Sequence, residues 1–347
     1  MRGFSYRGKD VGAVLMEVPT PQPAAGELRV RVEATTICGT DLRTIRGEKD
    51  KGIKPGVILG HEVSGYVDAI GAGVTGFDEG DQVIVSASIF CGLCRQCRRG
   101  QEHLCDRHRV VGHHYDGGLA DHMLIPRAAL EGELVLKAPR ELDPAEVALA
   151  EPLSCCLNGL DNYRVELGDT VVVVGGGAIG LLHLQLALLS GAQQVIVSDP
   201  SPSRRQQAEV LGATHTVDPM NEDLAGVIAD LTDGEGADVA VLCIGVPQLV
   251  DDCLRLVRKR GRVCVFAGLA GEGRSSIAAN LIHYREVVVV GSSNAGRHNV
   301  ARALDLIVKG AIDTKAMVTH RFGLSKVEEA VEFVGSGAGI KIAVVPD

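Results

Sequence analysis

The sequence lacks a basic excess, a targeting leader and any tryptophan. Its 347 residues carry 35 Lys and Arg against 44 Asp and Glu, a formal net charge of −9. A nucleic-acid binder needs a basic footprint, so that class is set aside. The N-terminal segment holds neither the apolar core of a secretory signal nor an Arg- and Ser-rich transit pattern, so a cytoplasmic protein is expected. No internal repeat or low-complexity tract interrupts the chain. The missing tryptophan excludes nothing. A membrane span is also missing, although Val171–Leu189 is almost continuously apolar and about as long as one. That stretch contains Gly175, Gly176 and Gly177 in a row, then His183 and Gln185, and reads as strand, glycine turn and helix. The expected partner is a small molecule, with neither nucleic acid nor membrane.

What is present suits a globular enzyme. Hydrophobic residues make up 46% and charged residues 23%, enough to bury a sizeable core. At about 150 residues per domain, the length predicts two domains. There are 43 Gly and 10 Cys. Ten cysteines in a cytoplasmic chain point to metal or catalysis before disulfides.

The first 150 residues read as short strands broken by Gly and Pro, with β-rich runs at Leu28–Ala34, Glu62–Ala69 and Gln82–Ser86. After Glu151 the rhythm changes to alternating strand and helix. Val171–Val174 is a run of valines suited to a parallel strand buried on both faces. Val195–Val197, Val239–Cys243, Arg262–Phe266 and Val287–Val290 continue the strands, and Arg204–Leu211 is a helix. This alternation predicts an α/β, doubly wound parallel sheet. From Ala295 the pattern loosens into helices near Asn299–Val308 and Val327–Val334, with strands at Met317–Phe322 and Ile340–Val345. Arg204-Arg205 and Arg258-Lys259-Arg260 read as solvated helix ends.

Gly175, Gly177 and Gly180 fit G-x-G-x-x-G directly after a strand and at the opening of a helix. The first glycine permits the tight turn, the second lets a pyrophosphate approach, and the third allows close helix–strand packing. Asp199 ends the next strand, 24 residues after Gly175, where an acid binds ribose hydroxyls. Its charge would repel a 2′-phosphate, so NAD is favoured over NADP. Arg204 is nearby and would meet the adenine or such a phosphate.

Cys91, Cys94, Cys97 and Cys105 read C-x2-C-x2-C-x7-C, a spacing able to surround one tetrahedral, structural Zn²⁺. An iron–sulfur cluster is the rival, but the last spacing and the absence of Pro after Cys105 depart from the ferredoxin run. A second set is dispersed: Cys38, His61, Glu62 and Glu151. Each alone reads as structural. Together they supply thiolate, imidazole and carboxylate, the mixed shell of a catalytic zinc with an open position. The loop Val111–Ala120 contains His113 and His114 and reads as solvated as readily as ligating.

These motifs in this order resemble the zinc-dependent medium-chain dehydrogenases, in particular the sorbitol (polyol) and threonine dehydrogenase branch. The matching segments are CGTD at Cys38–Asp41, GHE at Gly60–Glu62, the four-cysteine lobe, EPLS at Glu151–Ser154, the glycine motif and VTHRF at Val318–Phe322. The resemblance implies a GroES-like, β-rich catalytic domain formed by residues 1–152 and 295–347. A Rossmann NAD-binding domain at residues 153–294 would complete the chain, with the active site in the cleft. Two zinc ions per chain are implied, one catalytic and one structural. Cys38, His61 and Glu62 match catalytic ligands, and Glu151 matches a fourth ligand or a carboxylate reaching the metal through water, with Cys155 as its rival. Thr40 matches the hydroxyl that meets the substrate oxygen, and Asp41 a carboxylate orienting the zinc-bound histidine. Ile179, Asp199 and Arg204 match cofactor positions. So do Gly245 within Cys243–Val246, Ala267, Gly268 and Leu269, and Ser292 and Ser293 within Ser292–Asn294.

Two features depart from the branch. Arg43 stands where many members carry a proton-relaying histidine, so the proton is expected to leave through Thr40, a ribose hydroxyl and water. The chain also joins polyol-like ends to a threonine-like cysteine lobe. The implied reaction is NAD⁺-dependent oxidation of a secondary alcohol in a polyol, sugar alcohol or sugar acid to the ketone. L-threonine 3-dehydrogenase is the close alternative, with Arg43 or Arg297 meeting a substrate carboxylate. A catalytically inactive NAD-binding homologue is the alternative of another class. A dimer or tetramer of identical chains is also implied.

Overall fold

The computed structural model describes residues 1–49 and 52–347. The chain divides into two compact units, one of Met1–Ser154 with Asn294–Asp347 and one of Cys155–Ser293. The helix Ala150–Tyr163 carries the chain from the first to the second.

The first unit is built on a mostly antiparallel seven-stranded sheet. At its centre the strand Leu28–Thr36 pairs with Glu62–Ile70, with His122–Ile125 and with the C-terminal strand Lys341–Val345. Beyond them lie Gln82–Val85 and Val135–Ala138 on one side and Val318–Gly323 on the other. Leu28, Val30, Val63, Val83 and Ile125 alternate inward and are buried. Thr36 sits opposite both Glu62 and Ala343, so the N-terminal and C-terminal parts of the sequence meet at this residue. The sequence pattern gives five of these strands to within a few residues and misses His122–Ile125 and Val135–Ala138.

The second unit is a six-stranded parallel sheet. Its strand order is His215–Val217, Gln194–Ser198, Thr170–Val174, Ala237–Leu242, Val257–Val265, Val288–Gly291. The order reverses between Thr170–Val174 and Ala237–Leu242, the crevice at which doubly wound sheets bind ligands. Val171, Val172 and Val173 are wholly buried, as a strand covered on both faces requires. The apolar stretch that mimics a span is the strand Thr170–Val174 followed by the helix Ala178–Leu189. Among the described residues no helix is long and apolar enough to cross a membrane. A Cβ on Gly180 would fall 1.9 Å from the Gly175 carbonyl oxygen, so only glycine lets this helix close on its strand.

One sequence expectation is corrected and an open one is narrowed. Arg258, Lys259 and Arg260 do not end a helix; they lie within the strand Val257–Val265, where Arg258 is tied to Asp238 at 2.5 Å. Charged residues escape the strand pattern here because this end of the strand is exposed. The loop around His113 is not simply solvated, since His113, Leu119 and Ala120 are buried.

Candidate metal and cofactor sites

The helix Gly39–Ile45 begins where the central strand ends, with Cys38 at its N-cap. Asp41, in its first turn, accepts a hydrogen bond from the Cys38 backbone N–H at 2.9 Å. Its other oxygen lies 3.3 Å from His61 Nδ1. Burial disfavours the charged forms of both residues. Their attraction outweighs it, lowering the pKa of Asp41 and raising that of His61, with Cys38 adding to the latter. The ligand atoms of Cys38, His61 and Glu62 lie within 4.8 Å of one another. These residues come from a helix cap and the start of a neighbouring strand, brought together by sheet pairing.

Glu62 is buried, and its two oxygens differ. One accepts from the Thr36 hydroxyl and the Lys341 ammonium. The other has no hydrogen-bond partner among the described residues. A buried carboxylate with one oxygen anchored and one left over suits a metal cation beside Cys38 and His61. Lys341, on the C-terminal strand, is itself buried and also reaches the Ile37 carbonyl at 3.4 Å. Burial works against its charge, but Glu62 and Cys38 hold its pKa above the ordinary lysine value. Glu151 stands close enough to interact with His61, Glu62 and Lys341, and burial pushes its pKa up to about 7. Thr40 is partly exposed in the first turn of the Cys38 helix. Arg43, on the same short helix, points to Glu48 at 3.8 Å.

Lys341 and Thr36 were not among the expected site residues. The one sequence signal was a lone charge in the apolar run Ile340–Val345. His113 is a further neighbour. Its ring lies edge-on to that of His61, with centroids 6.2 Å apart. Burial, helped by His61, pushes its pKa down to about 4.

The four-cysteine lobe forms a compact cluster. Cys94 Sγ lies 3.5 Å from Cys97 Sγ and 3.9 Å from Cys105 Sγ, and Cys105 Sγ lies 3.5 Å from Cys91 Sγ. Tetrahedral Zn–S bonds of about 2.3 Å put sulfurs about 3.8 Å apart, so the donor set fits zinc. Backbone N–H groups of Cys91, Cys94 and Arg107 point at these sulfurs at 3.3–3.4 Å. Cys94 is pushed down to about 6 by backbone N–H groups, while burial pushes Cys97 up to about 12. Arg297 does not stand free for a substrate carboxylate. It is bound to Glu102 at 2.7 Å and Glu133 at 3.4 Å, over the Phe90 ring.

In the second unit the expected cofactor residues gather at the carboxyl ends of the parallel strands. Gly175 takes a φ of +104°, and Gly177 caps the helix Ala178–Leu189. A Cβ on Gly177 would meet nothing within 4 Å, which leaves room over the helix N-terminus for an anion. Ile179 lies in the first turn of that helix. Asp199 accepts from the Gly176 and Ser201 backbone N–H groups, each at 2.8 Å, and Arg204 approaches it to 3.6 Å. The loops after the next strands touch: the Ala270 N–H donates to the Gly245 carbonyl at 2.9 Å, with Ala267, Gly268 and Leu269 between. Ser292 and Ser293 accept from Asn158 at 3.1 and 3.3 Å.

A GroES-like β unit bearing such a ligand cluster, with a Rossmann unit bearing a dinucleotide turn, defines a pyridine-nucleotide dehydrogenase of the metal-dependent kind. Comparison with known proteins agrees. Residues 24–135 match the alcohol dehydrogenase GroES-like domain, and residues 178–309 the zinc-binding dehydrogenase domain. L-threonine 3-dehydrogenase of Pyrococcus abyssi is 37% identical over 95% of this chain and 94% of its own length. Sorbitol dehydrogenase of Halalkalibacterium halodurans is 30% identical over 96% and 95%. A Sinorhizobium meliloti structure assigned as a zinc-binding dehydrogenase, bound to NADP, superposes with a TM-score of 0.93 at 35% identity, covering 99% of both chains. The chain belongs to the zinc-dependent medium-chain dehydrogenases. It is an oxidoreductase acting on an alcohol with zinc and a nicotinamide cofactor.

The buried Glu62–Lys341 pair yields a prediction. Lys341→Met strands a buried carboxylate and is expected to cost about 3–5 kcal/mol, and Lys341→Arg less. Chemical denaturation of the metal-free proteins measures both; equal stability of Lys341→Met and the parent refutes the pairing.

Proposed function

We propose that this chain oxidises a secondary alcohol of a polyol, sugar alcohol or sugar acid to the ketone, with NAD⁺ as preferred acceptor. The observation that carries the reading is the Cys38–His61–Glu62 cluster, with His61 and Glu62 buried and one Glu62 oxygen left free. Cys38, His61 and Glu62 would hold the catalytic zinc, with Glu151 beside them as a fourth ligand or a carboxylate acting through water. Cys91, Cys94, Cys97 and Cys105 would hold the structural one. When bound, zinc supplies Lewis acidity at the alcohol oxygen and the nicotinamide supplies the hydride acceptor. Asp41 orients the His61 ring. Thr40 receives the hydroxyl proton and hands it on, and Arg43, always charged, takes no part as a base.

On the cofactor side, the turn Gly175–Gly177 and the helix behind it receive the pyrophosphate, with Gly180 keeping that helix close to its strand. Ile179 and Arg204 flank the adenosine. Asp199, held rigid by two backbone N–H groups, takes the ribose hydroxyls and repels a 2′-phosphate. Gly245, Ala267, Gly268, Leu269, Ser292 and Ser293 border the nicotinamide. We assign residues 1–152 and 295–347 to the catalytic domain and 153–294 to the cofactor domain.

L-threonine is the second reading, favoured by relatives of that name at 34–37% identity. The engagement of Arg297 by Glu102 and Glu133 weighs against L-threonine and, within the first reading, for a polyol or sugar alcohol over a sugar acid. A cytoplasmic location agrees with Cys91, Cys94, Cys97 and Cys105 gathering as a metal-type cluster rather than as paired disulfides. A homodimer or homotetramer agrees with the edge strand Val288–Gly291, whose Val288 and Val289 are 50% and 39% exposed.

The deciding experiment monitors NADH formation with a panel of polyols, sugar acids and L-threonine; turnover of L-threonine alone overturns the polyol reading. Cys38→Ser is expected to bring bound zinc from about two to about one per chain and abolish turnover while keeping the fold. Full metal content and normal rates in that variant would refute the ligand assignment. Asp199→Ala is expected to raise KM for NAD⁺ by about tenfold or more, about 1.4 kcal/mol, with a smaller change for the alcohol. Equal effects on both would remove its ribose role. Val289→Lys is expected to halve the light-scattering mass, and an unchanged mass excludes that edge as the contact.

A further inference from the structure

His113 is a buried polar side chain that the metal site leaves unused. Its loop lies flat on the segment leading to His61. The Gly117 N–H donates to the Ile58 carbonyl at 2.8 Å and the Gly118 N–H to the Gly60 carbonyl at 3.0 Å. A Cβ on Gly117 would fall 2.0 Å from the Gly60 oxygen, so the two backbones touch. His114 serves the loop itself, since its Nδ1 accepts the Val110 N–H at 3.1 Å. His113 has no such task. It is only 7% exposed, and its Nε2 is buried without a hydrogen-bond partner among the described residues. An orphaned buried polar atom is costly, and one that persists calls for an explanation such as a group that completes it on binding. This atom belongs to a ring packed edge-on against His61, one of the three clustered metal-ligating side chains.

We propose that His113 is a specificity-determining residue whose Nε2 hydrogen-bonds a second hydroxyl of the substrate, on a carbon near the reacting carbinol. This deepens the alcohol dehydrogenase reading and rests on it. An imidazole nitrogen donates in one tautomer and accepts in the other. A hydroxyl complements either, whereas a carboxylate only accepts and an ammonium only donates. The centroid separation of 6.2 Å from His61 places the ring beside the clustered ligands. A site built to bond a hydroxyl discriminates against the analogue lacking it, because the protein atom is then left unpaired.

The test compares zinc-loaded parent, His113→Leu and His113→Gln enzymes with NAD⁺ on propylene glycol and on isopropanol, which lacks the neighbouring hydroxyl. The diol-to-monoalcohol ratio of kcat/KM is expected to fall about 10- to 100-fold in His113→Leu, and His113→Gln to recover part of it. Bound zinc should stay the same and the melting temperature should hold or rise, because an unpartnered polar atom has been replaced by an apolar one. An unchanged ratio overturns the proposal. So does a lowered melting temperature with equal loss on both alcohols, which would mark a structural role. If the parent oxidises neither alcohol nor any member of the wider panel, the dehydrogenase substrate reading fails first and this proposal with it.

Discussion

The first unit depends on how one buried carboxylate is compensated. Glu62 cannot stay ionised in the interior without a counter-charge. That charge arrives from Lys341, 279 residues later in the chain. The Thr36 hydroxyl shares the same oxygen, and Thr36 is the residue through which the strands of Glu62 and Ala343 are joined. The C-terminal strand is thus more than a cover for the sheet. Without it the carboxylate beside Cys38 and His61 would lose its cation, and the β domain would be both unfinished and electrostatically unsatisfied. A discontinuous domain follows from this constraint.

The second unit answers to a different constraint. A parallel sheet puts every strand's carboxyl end on one edge, and the reversal of strand order opens a crevice there. Gly175, Asp199, Gly245, Ala267 and Ser292 therefore gather from five separate connections without any of them contacting another in sequence. Asp199 is also a structural residue of this edge, since its carboxylate ties the glycine turn to the start of the next helix through Gly176 and Ser201.

Legibility in the sequence followed contact range. The glycine turn and the cysteine lobe are local, so their spacing carries their geometry. The valine run of the strand Thr170–Val174 was equally plain. Cys38 lies far from the adjacent His61 and Glu62, so spacing proved nothing there; donor chemistry suggested a metal shell, and resemblance to a family assigned the roles. Lys341 and Thr36 were missed because a salt bridge between distant strands leaves no pattern in either one. His113 was undecided for a related reason: whether a loop histidine is wet or dry depends on what the loop rests upon. Gly60 and Gly117 permit the backbone approach that buries it, yet each alone reads as an ordinary turn residue.

These pieces meet in the charge balance of the ligand cluster. In the proposed site, a thiolate at Cys38 and a carboxylate at Glu62 would neutralise one divalent ion. Asp41 adds a negative charge behind His61, and Lys341 a positive one behind Glu62, so the two supporting charges cancel. The cluster with zinc would then be neutral before Glu151 is counted. In the metal-free protein burial pushes the pKa of Glu151 up to about 7, while His61 and Lys341 pull it down and Glu62 and Asp41 push it up, so these neighbours oppose one another. Removing either supporting charge would unbalance an interior that has little water to screen it. Lys341 and Asp41 therefore support the cluster of Cys38, His61 and Glu62 electrostatically, although neither is in it.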